Sequence, residues 1–118
     1  DWDLWLRLSL IGPVGISGLM GTEYLMRPGS ISRNQPLRLA CMKAIVARHA
    51  VDQSRFPRHA VRTAFARIGM GYAEHHRAQG AYCKAAVHHW RAFLRQPSFR
   101  LLRAALADTL ACLGIKRK

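Results

Sequence analysis

Two carboxylates near the start of the chain are the first groups that could do acid–base chemistry. Asp1 and Asp3 lie on either side of Trp2 in a short apolar stretch. A carboxylate within hydrogen-bond reach of a hydroxyl can take its proton. From the residues alone, an aspartate at this place is more often the N-cap of a helix than a general base. Asp3 precedes Arg7 by four residues, so these two side chains are expected to form an ion pair.

Paired histidines are the second set of residues with chemical potential, here for metal binding. His75 and His76 form one pair, and His88 and His89 form another, both inside predicted helices. Neighbouring helical positions point roughly 100° apart, so such a pair is poorly placed to ligate one metal ion. We therefore predict that these histidines are partly exposed polar side chains and that they form no metal site.

The cysteines are odd in number and widely separated. Cys41, Cys83 and Cys112 contain no Cys-x-x-Cys arrangement, which gives no support for a zinc site. Cys83 and His88 are not spaced as a nucleophile and its base. The pattern indicates reduced, mostly packed thiols in a cytosolic protein.

Two segments near the N-terminus stand out by their order and spacing. Residues 1–8 read Asp-Trp-Asp-Leu-Trp-Leu-Arg-Leu, and residues 24–33 read Tyr-Leu-Met-Arg-Pro-Gly-Ser-Ile-Ser-Arg, with Gly-Pro-Val at 12–14 between them. The first resembles a segment of bacterial family 2 glycosyltransferases that begins with a Glu-Asp pair and continues Trp/Tyr-Asp-Leu-Trp-Leu-Arg. The second is similar to that family's Tyr-Arg-x-His-Pro-Gly-Ser-x-Ser-Arg stretch. The resemblance covers the first 33 residues of the chain.

The resemblance implies a GT-A fold and an inverting transfer of a sugar from a nucleotide donor to an acceptor hydroxyl. Asp1 would be the second member of the Glu-Asp pair and therefore the general base. Trp2 would line the acceptor pocket, and Arg27 and Ser30 would also bind substrate. The chain would then be the acceptor-side part of a longer enzyme, and it is expected to be inactive by itself.

The sequence departs from the family pattern near the expected donor diphosphate and its metal. Leu25 and Arg27 stand where the family commonly has Arg and His. A guanidinium group can neutralise phosphate, but it cannot ligate a metal ion. The resemblance thus implies a divalent cation, Mg²⁺ or Mn²⁺, held by an Asp-x-Asp motif upstream of Asp1, and no metal ligand in this chain.

The elements that position these residues change character after residue 33. Residues 2–11 predict an apolar helix, and residues 14–16 and 21–26 predict two short extended pieces. From residue 34 onward the pattern is helical, with Asn34 as an N-cap and ends near Ala50, Gly80 and Gly114. The predicted fold is therefore mainly α: residues 1–33 supply a helix and short β segments from the end of a GT-A α/β domain, and residues 34–118 form antiparallel helices.

Small residues and leucines predict how these helices pack. Gly80, Ala85, Ala92 and Pro97 fall at spacings of five, seven and five, which is similar to the second half of a tetratricopeptide unit. A helical hairpin of that kind and ordinary helix packing both remain open. The last helix is expected to begin after a cap at Ser98 and to face inward with Phe99, Leu102, Leu106, Leu110 and Leu113.

The net charge of +13 leaves two further functions open. A basic helical binding module for nucleic acid or anionic lipid would require arginines from several helices to converge on one face. The arginines concerned are Arg48, Arg55, Arg58, Arg62, Arg77, Arg91, Arg95, Arg100 and Arg103. A tetratricopeptide-like adaptor would instead require a groove lined by Tyr72, Tyr82 and Trp90.

The enzyme interpretation is favoured, with a nucleotide-sugar donor and a glycan or lipid-linked acceptor as partners. Nucleic acid is the less favoured partner, while the basic helices are candidates for peripheral contact with an anionic membrane. No apolar run reaches the roughly 18 residues that a membrane span needs. The expected location is cytoplasmic, with the inner face of the cytoplasmic membrane as the peripheral option.

Overall fold

Helices form the regular structure in the described part of the chain. The computed structural model describes residues 2–15, 17–19, 21, 34–51 and 56–115. In chain order its helices are α1 (Trp2–Ser9), α2 (Gln35–His49), α3 (Arg58–Ala78), α4 (Tyr82–Arg95) and α5 (Phe99–Cys112). Within these ranges no helix combines the length and the apolar character needed to cross a membrane.

The prediction of short β segments is wrong, because the described residues contain no strand. Residues 14–15 and 21 lie outside any ladder, while residues 16 and 22–26 fall outside the described part. A strand needs a neighbour for its N–H and C=O groups. A side chain added at Gly15 would meet nothing within 4 Å, and Val14 is exposed. The helical part of the predicted fold agrees with the structure.

Local signals at the helix ends are confirmed. The side chain of Asn34 accepts a hydrogen bond from the backbone N–H of Leu37 at 3.1 Å, which caps α2. Ser98 caps α5 in the same way, accepting from the N–H of Leu101 at 3.3 Å. After α3 the chain turns at Gly80, where φ is +72°, a conformation that favours glycine. These ends were predictable because each depends on residues close in sequence.

Small side chains bring the central helices together. Helix α3 packs against α2 and α4, and α4 packs against α5. Ala73, Ala85 and Ala92 are completely buried. A Cβ added at Gly69 of α3 would lie 3.4 Å from the Cβ of Ala92, so the two backbones approach closely there. The larger side chains Leu39, Val46 and Ile68 form the core between α2 and α3.

The predicted inward face of α5 is wrong. Phe99 is 81% exposed and Leu106 is 47% exposed. The face that packs inward contains Leu101, Ala105 and Asp108 instead. These positions repeat at intervals of four and three, as one helical face should. The helix is therefore rotated so that it buries a carboxylate and exposes part of its leucine stripe.

The prediction of reduced cysteines is also wrong for two of the three. Cys83 in the first turn of α4 and Cys112 at the end of α5 form a disulfide, with their Cα atoms 4.9 Å apart. Cys41 is a free, exposed thiol. Sequence spacing could not show this pairing, because it depends on α4 and α5 lying side by side.

Breaking the disulfide should destabilise the fold by about 3 to 4 kcal/mol, since it closes a loop between residues separated by 29 positions. The measurement is urea unfolding of Cys112→Ser against the oxidised parent chain. Cys41→Ser is the matched control, because that thiol is exposed and unpaired. Equal unfolding midpoints for Cys112→Ser and Cys41→Ser would show that the crosslink does not constrain the unfolded chain.

Candidate functional site

The residues expected to bind substrate are only partly within the described structure. Asp1, Arg27 and Ser30 lie outside the described residues. Trp2 is the first residue of α1 and is 55% exposed, so its ring is accessible to a partner or ligand. The described structure therefore neither assembles these residues nor separates them.

Asp3 connects α1 to the end of α2. Its predicted ion pair with Arg7 is present, with Nε 3.7 Å from Oδ2. Two shorter contacts come from α2: Nη1 of Arg48 lies 3.1 Å from Oδ2, and Nε2 of His49 lies 2.8 Å from Oδ1. The hydrogen bond from His49 and the charges of Arg48 and Arg7 lower the pKa of Asp3 below its ordinary value. Asp3 is therefore a structural contact between α1 and α2.

Helix α1 has little other contact with the bundle. Its large apolar side chains are exposed, and they are Trp2, Leu4, Trp5 and Leu8. An amphipathic or apolar helix normally buries such a surface against another element. The described residues of the chain leave this apolar surface uncovered.

A charged pocket lies between α3, α4 and α5. It has a volume of about 350 Å³ and its charged or titratable lining residues are Glu74, Arg77, His89, Arg100 and Arg103. The rest of the lining is Met, Leu and Ala. Residues that are distant in sequence meet here because α3 and α5 both pack against α4.

Two residues that line this pocket, Arg77 and His89, contact the carboxylate of Asp108 behind it, so that the three helices contribute one residue each to a charged triad. Asp108 of α5 is completely buried, and His89 of α4 is 4% exposed. Nδ1 of His89 lies 2.7 Å from Oδ2 of Asp108. Nε of Arg77, from α3, lies 2.9 Å from Oδ1 of Asp108 and forms an ion pair with it. Oδ1 has no hydrogen bond in addition to this ion pair. Because His89 is buried, the prediction that its side chain is partly exposed is wrong.

The contact with Asp108 occupies Nδ1 of His89, the histidine that lines the pocket. An ionised carboxylate only accepts, so Nδ1 of His89 carries the hydrogen that it donates to Asp108. Nε2 is then the nitrogen left to meet a ligand. A carboxylate orients a catalytic histidine in the same way in triad enzymes. The described lining residues include no hydroxyl or thiol side chain, so a Ser-His or Cys-His pair is not formed among them.

The arginines converge in part. Arg77, Arg100 and Arg103 line the one pocket. Others are used elsewhere: Arg48 pairs with Asp3, and Nε of Arg62 donates to the backbone oxygen of Arg95 at 3.1 Å. Arg91 and Arg95 line a different cavity together with Lys43, so the arginines are divided among separate places on the bundle.

The three aromatic residues of the adaptor interpretation do not share a groove. Tyr72 stacks on His88, with ring centroids 5.2 Å apart. Nε1 of Trp90 donates to Oγ1 of Thr109 at 3.1 Å, between α4 and α5. Tyr82 lies with residues of the end of α5 at a different cavity. Their separate surroundings give no support to a single peptide-binding groove.

The remaining histidines are arranged by packing. His88 stacks on Tyr72 and also on His76, whose ring centroid is 5.4 Å away. Partial burial lowers the pKa of His88 below its ordinary value, and the neighbouring His76 and Arg91 lower it further.

Within residues 2–15, 17–19, 21, 34–51 and 56–115, no group of three His, Cys, Asp or Glu side chains is placed to hold a metal ion.

Comparison with known proteins identifies no relative of this chain. No protein-family model, no curated protein and no solved structure matches it.

Proposed function

We propose that the chain is the acceptor-side end of a family 2-type glycosyltransferase, followed by a basic helical region. The observation that carries this proposal is the sequence at residues 1–8, with the second similar segment at residues 24–33. Two structural features support it. Residues 2–9 form a helix, in agreement with the apolar helix that the pattern of residues 2–11 predicts. This helix exposes an apolar surface that a neighbouring catalytic domain would cover.

In the proposed reaction, the Asp1 carboxylate takes the proton of the acceptor hydroxyl as its oxygen attacks the anomeric carbon of the donor sugar. The bond from that carbon to the nucleoside diphosphate breaks, and the diphosphate leaves with the bonding electron pair. Attack opposite the leaving group inverts the configuration. Trp2 would pack on the acceptor ring, while Arg27 and Ser30 would bind the donor side.

The described residues of this chain offer no ligand set for the divalent cation of such enzymes. Leu25 and Arg27 offer no metal ligand, and the described residues contain no group of three suitable side chains. The cation ligands are therefore assigned to the region upstream of Asp1, and no step in this chain is routed through a metal ion.

A cytoplasmic location, peripheral at the inner face of the cytoplasmic membrane, is the proposed setting. The net charge of +13 supports contact with anionic lipid. Disulfides are typical of oxidising compartments, however. The Cys83–Cys112 disulfide is the observation that does not support this location.

The test is a transfer assay on the protein encoded by the complete reading frame that contains this sequence. We expect nucleoside diphosphate to be released from nucleotide sugars, at a rate that rises when a glycan or lipid-linked acceptor is added. We also expect the reading frame to encode Glu directly before Asp1 and an Asp-x-Asp motif further upstream. A reading frame that lacks both features would overturn the proposal.

A further inference from the structure

We propose that the pocket lined by Arg77, Arg100 and Arg103 binds a phosphate or diphosphate group. This inference does not depend on the glycosyltransferase proposal. It begins from His89, a buried polar side chain that lines the pocket, and from Asp108 behind it, whose Oδ2 lies 2.7 Å from Nδ1 of His89. Their hydrogen bond leaves Nε2 of His89 as the nitrogen available to the cavity.

The charge of the pocket favours an anion. Three guanidinium groups line the pocket with one carboxylate, that of Glu74, and the buried carboxylate of Asp108 pairs with Arg77 behind it, so the arginines outnumber the two carboxylates by one. Asp108 is already paired with Arg77 and His89. Arg100 and Arg103 have no ion pair with any described residue, and neither does Glu74. Two cationic groups of α5 are therefore available to a ligand at the same cavity.

The number of donors favours phosphate over carboxylate. One guanidinium group can satisfy a carboxylate by two parallel hydrogen bonds. Three guanidinium groups supply more donors than two oxygens can accept, whereas a phosphate group has three terminal oxygens and a charge near −2. Nε2 of His89 can accept the O–H of a hydrogen phosphate group from a neutral ring, or donate to a phosphate oxygen from a protonated ring. The volume of about 350 Å³ has room for a diphosphate.

A purely structural role would explain the triad but not the other two arginines. Arg77, His89 and Asp108 hold α3, α4 and α5 together. Arg100 and Arg103 take no part in that contact, yet they line the same cavity. Removing these two therefore tests the binding site without disturbing the buried triad.

The experiment is isothermal titration of the full chain with inorganic pyrophosphate and inorganic phosphate. We expect saturable binding at one site, with the double variant Arg100→Gln/Arg103→Gln weakened by about 100-fold, or about tenfold for each guanidinium group. The matched control is Arg38→Gln/Arg67→Gln, which removes the same charge from exposed positions of α2 and α3 outside the pocket. Thermal unfolding should be the same for both variants.

A second arm identifies the source of the phosphate group. Phosphatidylcholine vesicles with and without phosphatidic acid are tested for sedimentation of the chain, with pyrophosphate as competitor. Competition indicates a lipid head group, and pyrophosphate binding without vesicle binding indicates a soluble phosphate compound. The proposal is overturned if neither the phosphates nor the vesicles bind, or if both double variants lose affinity equally, since equal loss indicates diffuse surface charge.

Discussion

Replacing Asp108 with alanine should lower the free energy of unfolding by about 3 kcal/mol. The carboxylate is completely buried and contacts Arg77 and His89. Its removal leaves a buried imidazole without the acceptor of its Nδ1 hydrogen, and it opens a cavity between α4 and α5. The measurement is urea unfolding followed by circular dichroism.

The size of this effect is limited by the exposure of one partner. Breaking a buried ion pair destabilises proteins by about 3 to 5 kcal/mol when the remaining charge stays buried. The Arg77 side chain is 47% exposed, so water can solvate its guanidinium group after the change. We therefore expect the lower end of that range, and most of the loss should come from His89 and the cavity.

Glu74→Gln is the matched control for Asp108→Ala. Glu74 lines the same pocket, but its carboxylate is exposed and pairs with no described residue. Its substitution should change the free energy of unfolding by less than about 0.5 kcal/mol. If Asp108→Ala is as stable as Glu74→Gln, the triad does not hold the three helices together.

The helix boundaries were predictable because their causes are local. Asn34 and Ser98 accept hydrogen bonds from backbone N–H groups three residues further on. Gly80 and Gly114 adopt positive φ at helix ends, where a residue with a Cβ is strained. Each of these signals lies within one helical turn of its effect, so no knowledge of the tertiary structure was needed.

The orientation of α5 could not be predicted in the same way. A leucine stripe normally marks the buried face of a helix. Here Asp108 finds two partners on other helices, and burying it fixes the rotation of α5. One sequence signal was present: Asp108 is the lone acidic residue after Glu74, and it stands in an apolar helix. A carboxylate in that setting needs a partner, but the sequence does not show which residue supplies it.

The pocket could not be predicted from the sequence either, because its lining residues come from three different helices. Arg77, His89 and Arg103 belong to three helices and meet only because small residues allow those helices to pack closely. The sequence gives only the spacing of His88 and His89 along one helix. In the structure the two histidines have different surroundings: His88 stacks on Tyr72, and His89 is buried against Asp108.

Asp1→Asn in the complete enzyme should reduce turnover by about 100- to 10,000-fold if Asp1 is the general base. The substitution distinguishes a general base from a helix N-cap, the two roles that the sequence leaves open for Asp1. Asparagine caps helices about as well as aspartate, so a residue that only caps a helix should tolerate the change. A general base should not tolerate it, because an amide cannot accept the proton of the acceptor hydroxyl. The measurement is the rate of nucleoside diphosphate release at saturating donor and acceptor.

Asp3→Asn is the control that decides how the loss of turnover is interpreted. Asp3 lies two residues further on and makes its contacts with Arg7, Arg48 and His49. Its substitution should weaken the attachment of α1 to α2, and the protein should unfold at a lower urea concentration, with a much smaller loss of turnover. Equal losses for the two variants would mean that activity depends on the placement of α1, and Asp1 would then have no separate role in proton transfer.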